Sequence, residues 1–366
     1  MDGAPAAPSM VDWDLARKVA VGALILKPAP ATYRSVTLQP QFDELTAKAE
    51  GLVSEATGLR SAHGAARAKV TDRADWAAAN VRSMQRLVGP PLSTFQEKRA
   101  SKVSAPALAV GRVISGTQLG LMLAYMATRV LGQYDLLIND ESPEDQDLVS
   151  YVGPNVLAVE ERYGFDTAQF RLWLALHEVT HRAQFTGVPW MRGHFLSLVE
   201  RTMAGFEPDP KQLLQALRRS ADSIRSGHNP LDDGGLITLI ASPDQYEAIQ
   251  EIGGMMSLLE GHGDVTMDRA GVDRIPSATR FSQVLRQRRR QRGVAKMLSV
   301  LIGLDAKLRQ YEQGERFIEA VEKAGGPSLL TRVWEGPGWL PSWSEIRDPD
   351  QWITRAAAVA PPAVSG

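Results

Sequence analysis

Apolar residues recur at three- and four-residue intervals along most of the chain, the spacing of helices that turn one face inward. Over Val11–Ala23 and Leu38–Thr57 this spacing predicts two amphipathic helices joined by the proline-containing connector Lys27–Pro40. Asp72–Val88 predicts a third, with Asp72 and Asp75 placing negative charge in its first turn and Gly89-Pro90-Pro91 expected to stop it. Ala105–Leu131 predicts a strongly apolar helix in which Gly111, Gly116 and Gly120 permit close packing. Its longest apolar stretch, Val113–Thr128, falls short of the roughly 20 residues that cross a bilayer. A buried helix is therefore expected there. Strand-like runs occur at Tyr134–Ile138 and Leu148–Val152, around the acidic loop Asn139–Asp147, and are expected to pair as a hairpin.

Helical spacing resumes at Phe165 and holds to Phe185, with Leu172, Leu176, Val179 and Ala183 on one face and Gly187-Val188-Pro189 beyond its end. Lys211–Ser226 predicts another helix, followed by the turn-rich segment Gly227–Gly235, which could cover an active site or merely connect. Ser242-Pro243-Asp244-Gln245 combines a Ser N-cap, Pro at the first helical position and Gln at the capping-box position, so a helix should start there and run through Asp264. Near the end, Trp334, Trp339, Trp343 and Trp352 are expected to anchor a Pro- and Gly-rich segment. The pattern as a whole predicts a mainly α fold with little β-sheet. It also predicts a disordered leader over 1–10, a single domain over 11–355 with a helical N-terminal portion, and a disordered tail over 356–366.

Composition narrows the chemistry. None of the 366 residues is cysteine, so disulfides, thiolate metal sites and a cysteine nucleophile are excluded, and a metal would have to be held by His, Asp or Glu. Lys plus Arg number 41 against 42 for Asp plus Glu, a net charge of −1, without the basic excess of a nucleic-acid binder. The local run Arg286, Arg288, Arg289, Arg290 and Arg292 has no interleaved aromatics and reads as a solvated helix face. Neither nucleic acid nor membrane is expected as a partner. The Ala/Pro-rich start lacks the basic and apolar regions of a signal peptide, which points to the cytoplasm.

One motif stands apart: His177-Glu178-Val179-Thr180-His181, inside the helix predicted over Phe170–Phe185. Four-residue spacing sets both imidazoles on one face, one turn apart, where they can ligate a single Zn²⁺. Glu178 beside them can take a proton from water. The longer pattern H-E-x-x-H-x-x-G-x-x-H fails, because Gln184 stands at its glycine and Gly187 at its third histidine. A third ligand must come from elsewhere. Glu260, in Leu259-Glu260-Gly261-His262-Gly263-Asp264, is the best candidate, with Asp264 one turn on to orient a ligand histidine. His262 competes for the ligand position, but a helix turns it roughly 200° from Glu260. It is therefore kept as a candidate transition-state donor. His194 reads as structural, and His63 and His228 carry no assignment.

The Glu-x-x-x-Asp arrangement resembles the third-ligand helix of gluzincins. Leu174–Arg192 together with Met256–Asp268 resembles a bacterial family of zincin-like, zinc-dependent metalloproteases, and Val11–Asp14, Arg129–Asp135 and Trp173 extend the likeness over most of the chain. The resemblance reaches a branch associated, through genomic context, with biosynthesis of a deazaflavin coenzyme. It implies a zincin-like architecture, with His177, His181 and Glu260 as zinc ligands and Glu178 as base. The expected function is zinc-dependent hydrolysis of a peptide or other amide substrate; the rival is a zinc-binding scaffold or interaction protein without turnover. The oligomeric state is left open.

Overall fold

The computed structural model describes residues 10–25, 35–99, 105–134, 147–203, 242–291 and 311–358. The predicted helix Lys211–Ser226, the segment Gly227–Gly235 and the leader up to Ser9 lie outside them. The chain divides into two compact units, one of Met1–Ala183 with Ala270–Gln283, the other of Gln184–Arg269 with Val284–Gly366.

In the first unit, α1 (Trp13–Ile25) packs against α4 (Ala105–Ala127) through missing side chains. A Cβ on Gly116 would come to 2.5 Å of the Asp12 carbonyl, and one on Gly120 to 2.5 Å of the Ala16 carbonyl. Around that crossing, Ala16, Ala20 and Leu24 bury against Trp76, Ala77 and Val81 of α3 (Arg73–Arg99) and against Leu123, Ala124 and Ala127 of α4. Two expectations need correction here. The helix α3 does not stop at Gly89-Pro90-Pro91 but continues through both prolines to Arg99, forgoing the backbone bonds a proline cannot donate. Burial along α4 is confined to one face of its C-terminal half; Val110, Val113 and Ile114 are about half exposed, at 59, 50 and 51 %. Because the helix starts earlier than the apolar stretch, its 22 residues Pro106–Ala127 are long and apolar enough to cross a membrane.

The sheet has the order β1-β3-β2. β2 (Gly132–Tyr134) pairs antiparallel with β3 (Leu148–Val152), with Gln133 opposite Ser150; it shares only Tyr134 with the expected strand Tyr134–Ile138, whose other residues lie outside the described ones. The third strand, β1 (Arg67–Thr71), was not anticipated. It runs parallel to β3, with Ala68 opposite Val149, and its Arg67 and Lys69 are exposed, the charged edge that discourages further pairing. On one side of the sheet α2 (Ser35–Thr57) stacks Phe42 on Tyr151, ring centroids 4.0 Å apart. From β3 the chain passes directly into α5 (Gly153–Tyr163), which Gly164 closes in the left-handed conformation at φ 57°. The chain then enters α6 (Thr167–Thr186).

In the second unit, α7 (Met191–Met203) is followed by α8 (Pro243–Gly271), which opens with the anticipated capping box: Ser242 Oγ accepts from the Gln245 N–H and Gln245 Oε1 from the Ser242 N–H. The basic run at 286–291 continues α9 (Ala278–Gln291). After α10 (Tyr311–Leu330), broken at Gly326 with φ 72°, come 3-10 turns at Thr331–Trp334 and Pro337–Trp339, then α11 (Trp343–Arg347) and α12 (Pro349–Ala358). Phe317, Ile318 and Val321 of α10 enclose Trp352, whose indole N–H donates to the Trp339 carbonyl. Ala356 is fully buried in the same cluster, so residues 356–358 belong to α12 and not to a disordered tail.

Candidate metal centre

Both histidines of the motif lie on α6, where the sequence places them. From Phe170 to Thr186 every residue of that helix is buried except His177, His181 and Phe185. These three are spaced by four, so the half-open stripe of an otherwise enclosed helix is the stripe that carries the imidazoles. The two Nε2 atoms are 3.3 Å apart and the rings nearly perpendicular, at 85°. Trp173, one turn earlier, lies parallel to His177 at 8° with centroids 6.4 Å apart, and is itself packed edge-on to Phe281.

Arg182, adjacent to His181, fixes the helix from the opposite side. Its guanidinium is 1 % exposed and donates to Asp147, Glu50 and the Gly64 carbonyl, so a charge that would be costly alone is fully paired. Asp147 is held there in the left-handed region, at φ 55°. A groove of about 400 Å³ lies beside this ion cluster, lined by Glu50, Arg60, Val179 and Arg182 among others. None of the motif's three chemically active side chains lines it.

Glu178 is buried, 6 % exposed. A side chain on Gly132, at the start of β2, would reach within 2.6 Å of its Oε1, so the carboxylate occupies space that only glycine leaves. Nothing in the sequence marks Gly132 for this. Beneath, burial pushes the Tyr151 phenol well above its ordinary range, the bond shared with Thr46 acts the other way, and the negative charge of Glu178 adds to the rise. Tyr151 is thereby kept neutral.

Glu260, His262 and Asp264 all lie on α8; Glu260 and Asp264 are half-buried and His262 is buried. His177 and His181 on α6 and Glu260 on α8 are residues of the kinds that could hold a metal ion. Two imidazoles and a carboxylate are a donor set that fits one divalent ion. His262 faces elsewhere: its Nδ1 is 3.0 Å from Gln184 Nε2, and its ring meets the Trp334 ring edge-on at 5.0 Å. Sequence reasoning linked neither partner to His262: it read Gln184 only as the residue that spoils a longer motif, and Trp334 as an anchor of the Pro- and Gly-rich segment. His194 lies 4.0 Å from Glu251, and burial lowers its pKa while Glu251 opposes the shift and Arg201 reinforces it. His63 is exposed.

No curated protein matches the chain. The crystal structure of a candidate hydrolase with a novel fold from Chloroflexus aurantiacus is similar at 32 % identity and a TM-score of 0.73, over 96 % of this chain and all of that one. The sequence profile of the zincin-like metallopeptidases matches residues 11–353, nearly the whole length. The chain belongs to the zincin-like metallopeptidase family.

Proposed function

We propose that the protein hydrolyses peptide or other amide bonds with one zinc ion held by His177, His181 and Glu260, and with Glu178 as general base. The 3.3 Å between the two imidazole Nε2 atoms carries this reading. Two nitrogens each about 2.0–2.1 Å from a tetrahedral zinc stand about 3.3–3.4 Å apart. Two imidazole lone pairs that close repel each other unless a proton or a cation lies between them, and Glu260 supplies the negative charge that favours the cation. When bound, zinc supplies Lewis acidity and lowers the pKa of water at the site.

The protein's own part is proton handling. The carboxylate of Glu178, held in the space beside Gly132, accepts a proton from water and returns it to the leaving amine. Asp264, one turn along α8 from Glu260, is assigned to steady the ligand set through a hydrogen bond rather than to ligate.

Metal analysis with an activity assay tests the reading. The purified protein should carry about one equivalent of zinc, removable by chelator and absent from the His177→Ala/His181→Ala variant. Glu178→Gln should keep the metal and lose hydrolysis of an amide library, whereas Glu260→Ala should hold zinc more weakly. Stoichiometric zinc in the double-histidine variant would sink the assignment. Zinc retained without hydroxamate binding would favour the non-catalytic scaffold.

A further inference from the structure

Gln184 is fully buried, three residues beyond His181 on α6. Its side-chain amide donates both protons into α8, one to the Leu259 carbonyl at 2.9 Å and one to His262 Nδ1 at 3.0 Å. The carbonyl can only accept, so it fixes which end of the amide is nitrogen; the amide in turn makes His262 Nδ1 an acceptor and places the imidazole proton on Nε2. Leu259 and His262 are three apart, neighbours on one side of the helix, and the intervening Glu260 projects from another.

The same turn is confined twice more. The Trp334 ring packs against His262 in a T-shaped contact, and the Trp334 carbonyl is itself held by the Trp190 indole N–H at 2.9 Å. At Gly261 the backbone of α8 approaches α10 so closely that a Cβ would fall 2.3 Å from the Gly314 carbonyl carbon. A buried histidine bonded at Nδ1 by a neutral amide and covered by an indole is arranged to hold a helix turn, and is poorly placed to follow a reacting substrate.

We propose that Gln184 and His262 are positioning residues for the Glu260 carboxylate: their hydrogen bond fixes the turn 259–262 of α8 and so the direction in which Glu260 meets the metal. This assignment rests on the zinc reading above. It replaces the role of transition-state donor for His262, and it gives Gln184, where the longer zinc motif has its glycine, a purpose of its own.

The test uses full-length protein, zinc affinity by competition with a chelator, and the visible spectrum of the cobalt(II)-substituted form, which reports the ligand geometry. Loss of such outer partners weakens metal binding by about 10- to 100-fold, and that is the expected drop for Gln184→Leu and His262→Leu, with an altered cobalt spectrum. His262→Asn keeps an acceptor near the Nδ1 position and should recover wild-type affinity and spectrum, which a mere loss of packing would not predict. Unchanged affinity and spectrum in Gln184→Leu overturn the inference while leaving the zinc reading standing. Should that variant fail to fold, the two His262 variants decide alone: equal affinities, whether both low or both normal, overturn the inference. If the wild-type protein binds no zinc through His177 and His181, the functional reading fails and this inference falls with it.

Discussion

The helices that supply the candidate ligands are fixed by opposite means. Side chains that are present secure α6: Arg182 is saturated by two carboxylates and a carbonyl, and Arg171 forms a buried bidentate pair with Glu160. Side chains that are absent secure α8, where Gly253 lies under the Trp343 ring, Gly254 against the Pro341 carbonyl and Gly261 against Gly314. A motif read from sequence lists what a helix carries. It therefore describes α6 well and α8 poorly, because the turn bearing Glu260 also depends on close backbone approach at glycine, on top of the hydrogen bonds from Gln184.

The sharpest way to break that contrast is to remove the charge that secures α6. Arg182→Leu keeps an apolar side chain in the space but leaves Asp147 and Glu50 facing each other without their cation. Breaking a buried pair from one side costs about 3–5 kcal/mol. The lower end is expected, since the Glu50 side chain is 28 % exposed and can turn to water. Urea unfolding would read the loss directly. A change below about 1 kcal/mol, the worth of a surface pair, would mean that the cluster is not what fixes α6.

On α8 the corresponding experiment adds a single methyl. A Cβ at Gly314 would stand 1.9 Å from the Ser257 carbonyl oxygen, closer than any rotamer change can relieve, so the helices must separate. Alanine gains about 1 kcal/mol of helix propensity. Overpacking costs typically 1–3 kcal/mol, and contact with rigid backbone belongs at the upper end, leaving Gly314→Ala destabilised by about 2 kcal/mol. Gly111 on α4, with nothing within 4 Å of its added Cβ, provides the control: Gly111→Ala should be neutral or slightly stabilising. Equal melting temperatures for the two variants would show that close approach at Gly314 does not hold α8.

What could be read from the sequence follows the same division. Helical spacing located α1, α2, α6 and the capped start of α8, and the motif identified His177, Glu178 and His181 as candidates, because periodicity and ligand spacing are local properties of a chain. The extension of α3 through Pro90 and Pro91, the strand β1 and the exposed half of α4 were missed; β1 depends on its pairing with β3, distant in sequence, and the apolar pattern of α4 does not say which of its residues are covered. Gly132 and Gln184 show this at the site itself. One matters for the volume it leaves to Glu178 and the other for two acceptors more than seventy positions away, and neither leaves a pattern in the sequence.

The smallest effect concerns acid and acts on the α8 side of the comparison. Ser342 and Glu345 form a capping box at the start of α11, placing Trp343 over Gly253 of α8. Burial alone would raise the Glu345 carboxyl, but bonds from Arg355 and the Ser342 N–H outweigh it and hold the pKa below its ordinary 4.5. A depressed carboxyl pKa stabilises the fold fully above its unfolded value, and that contribution is lost as pH falls through the folded value. The protein should therefore lose this increment below about pH 4, while Glu345→Gln, which has already lost it, should show a flatter dependence in the same range. At neutral pH the variant should melt lower by about 2 °C, the scale of 1 kcal/mol in a chain of this size. Parallel acid profiles for the two proteins would remove Glu345 from the contacts that hold Trp343 against α8.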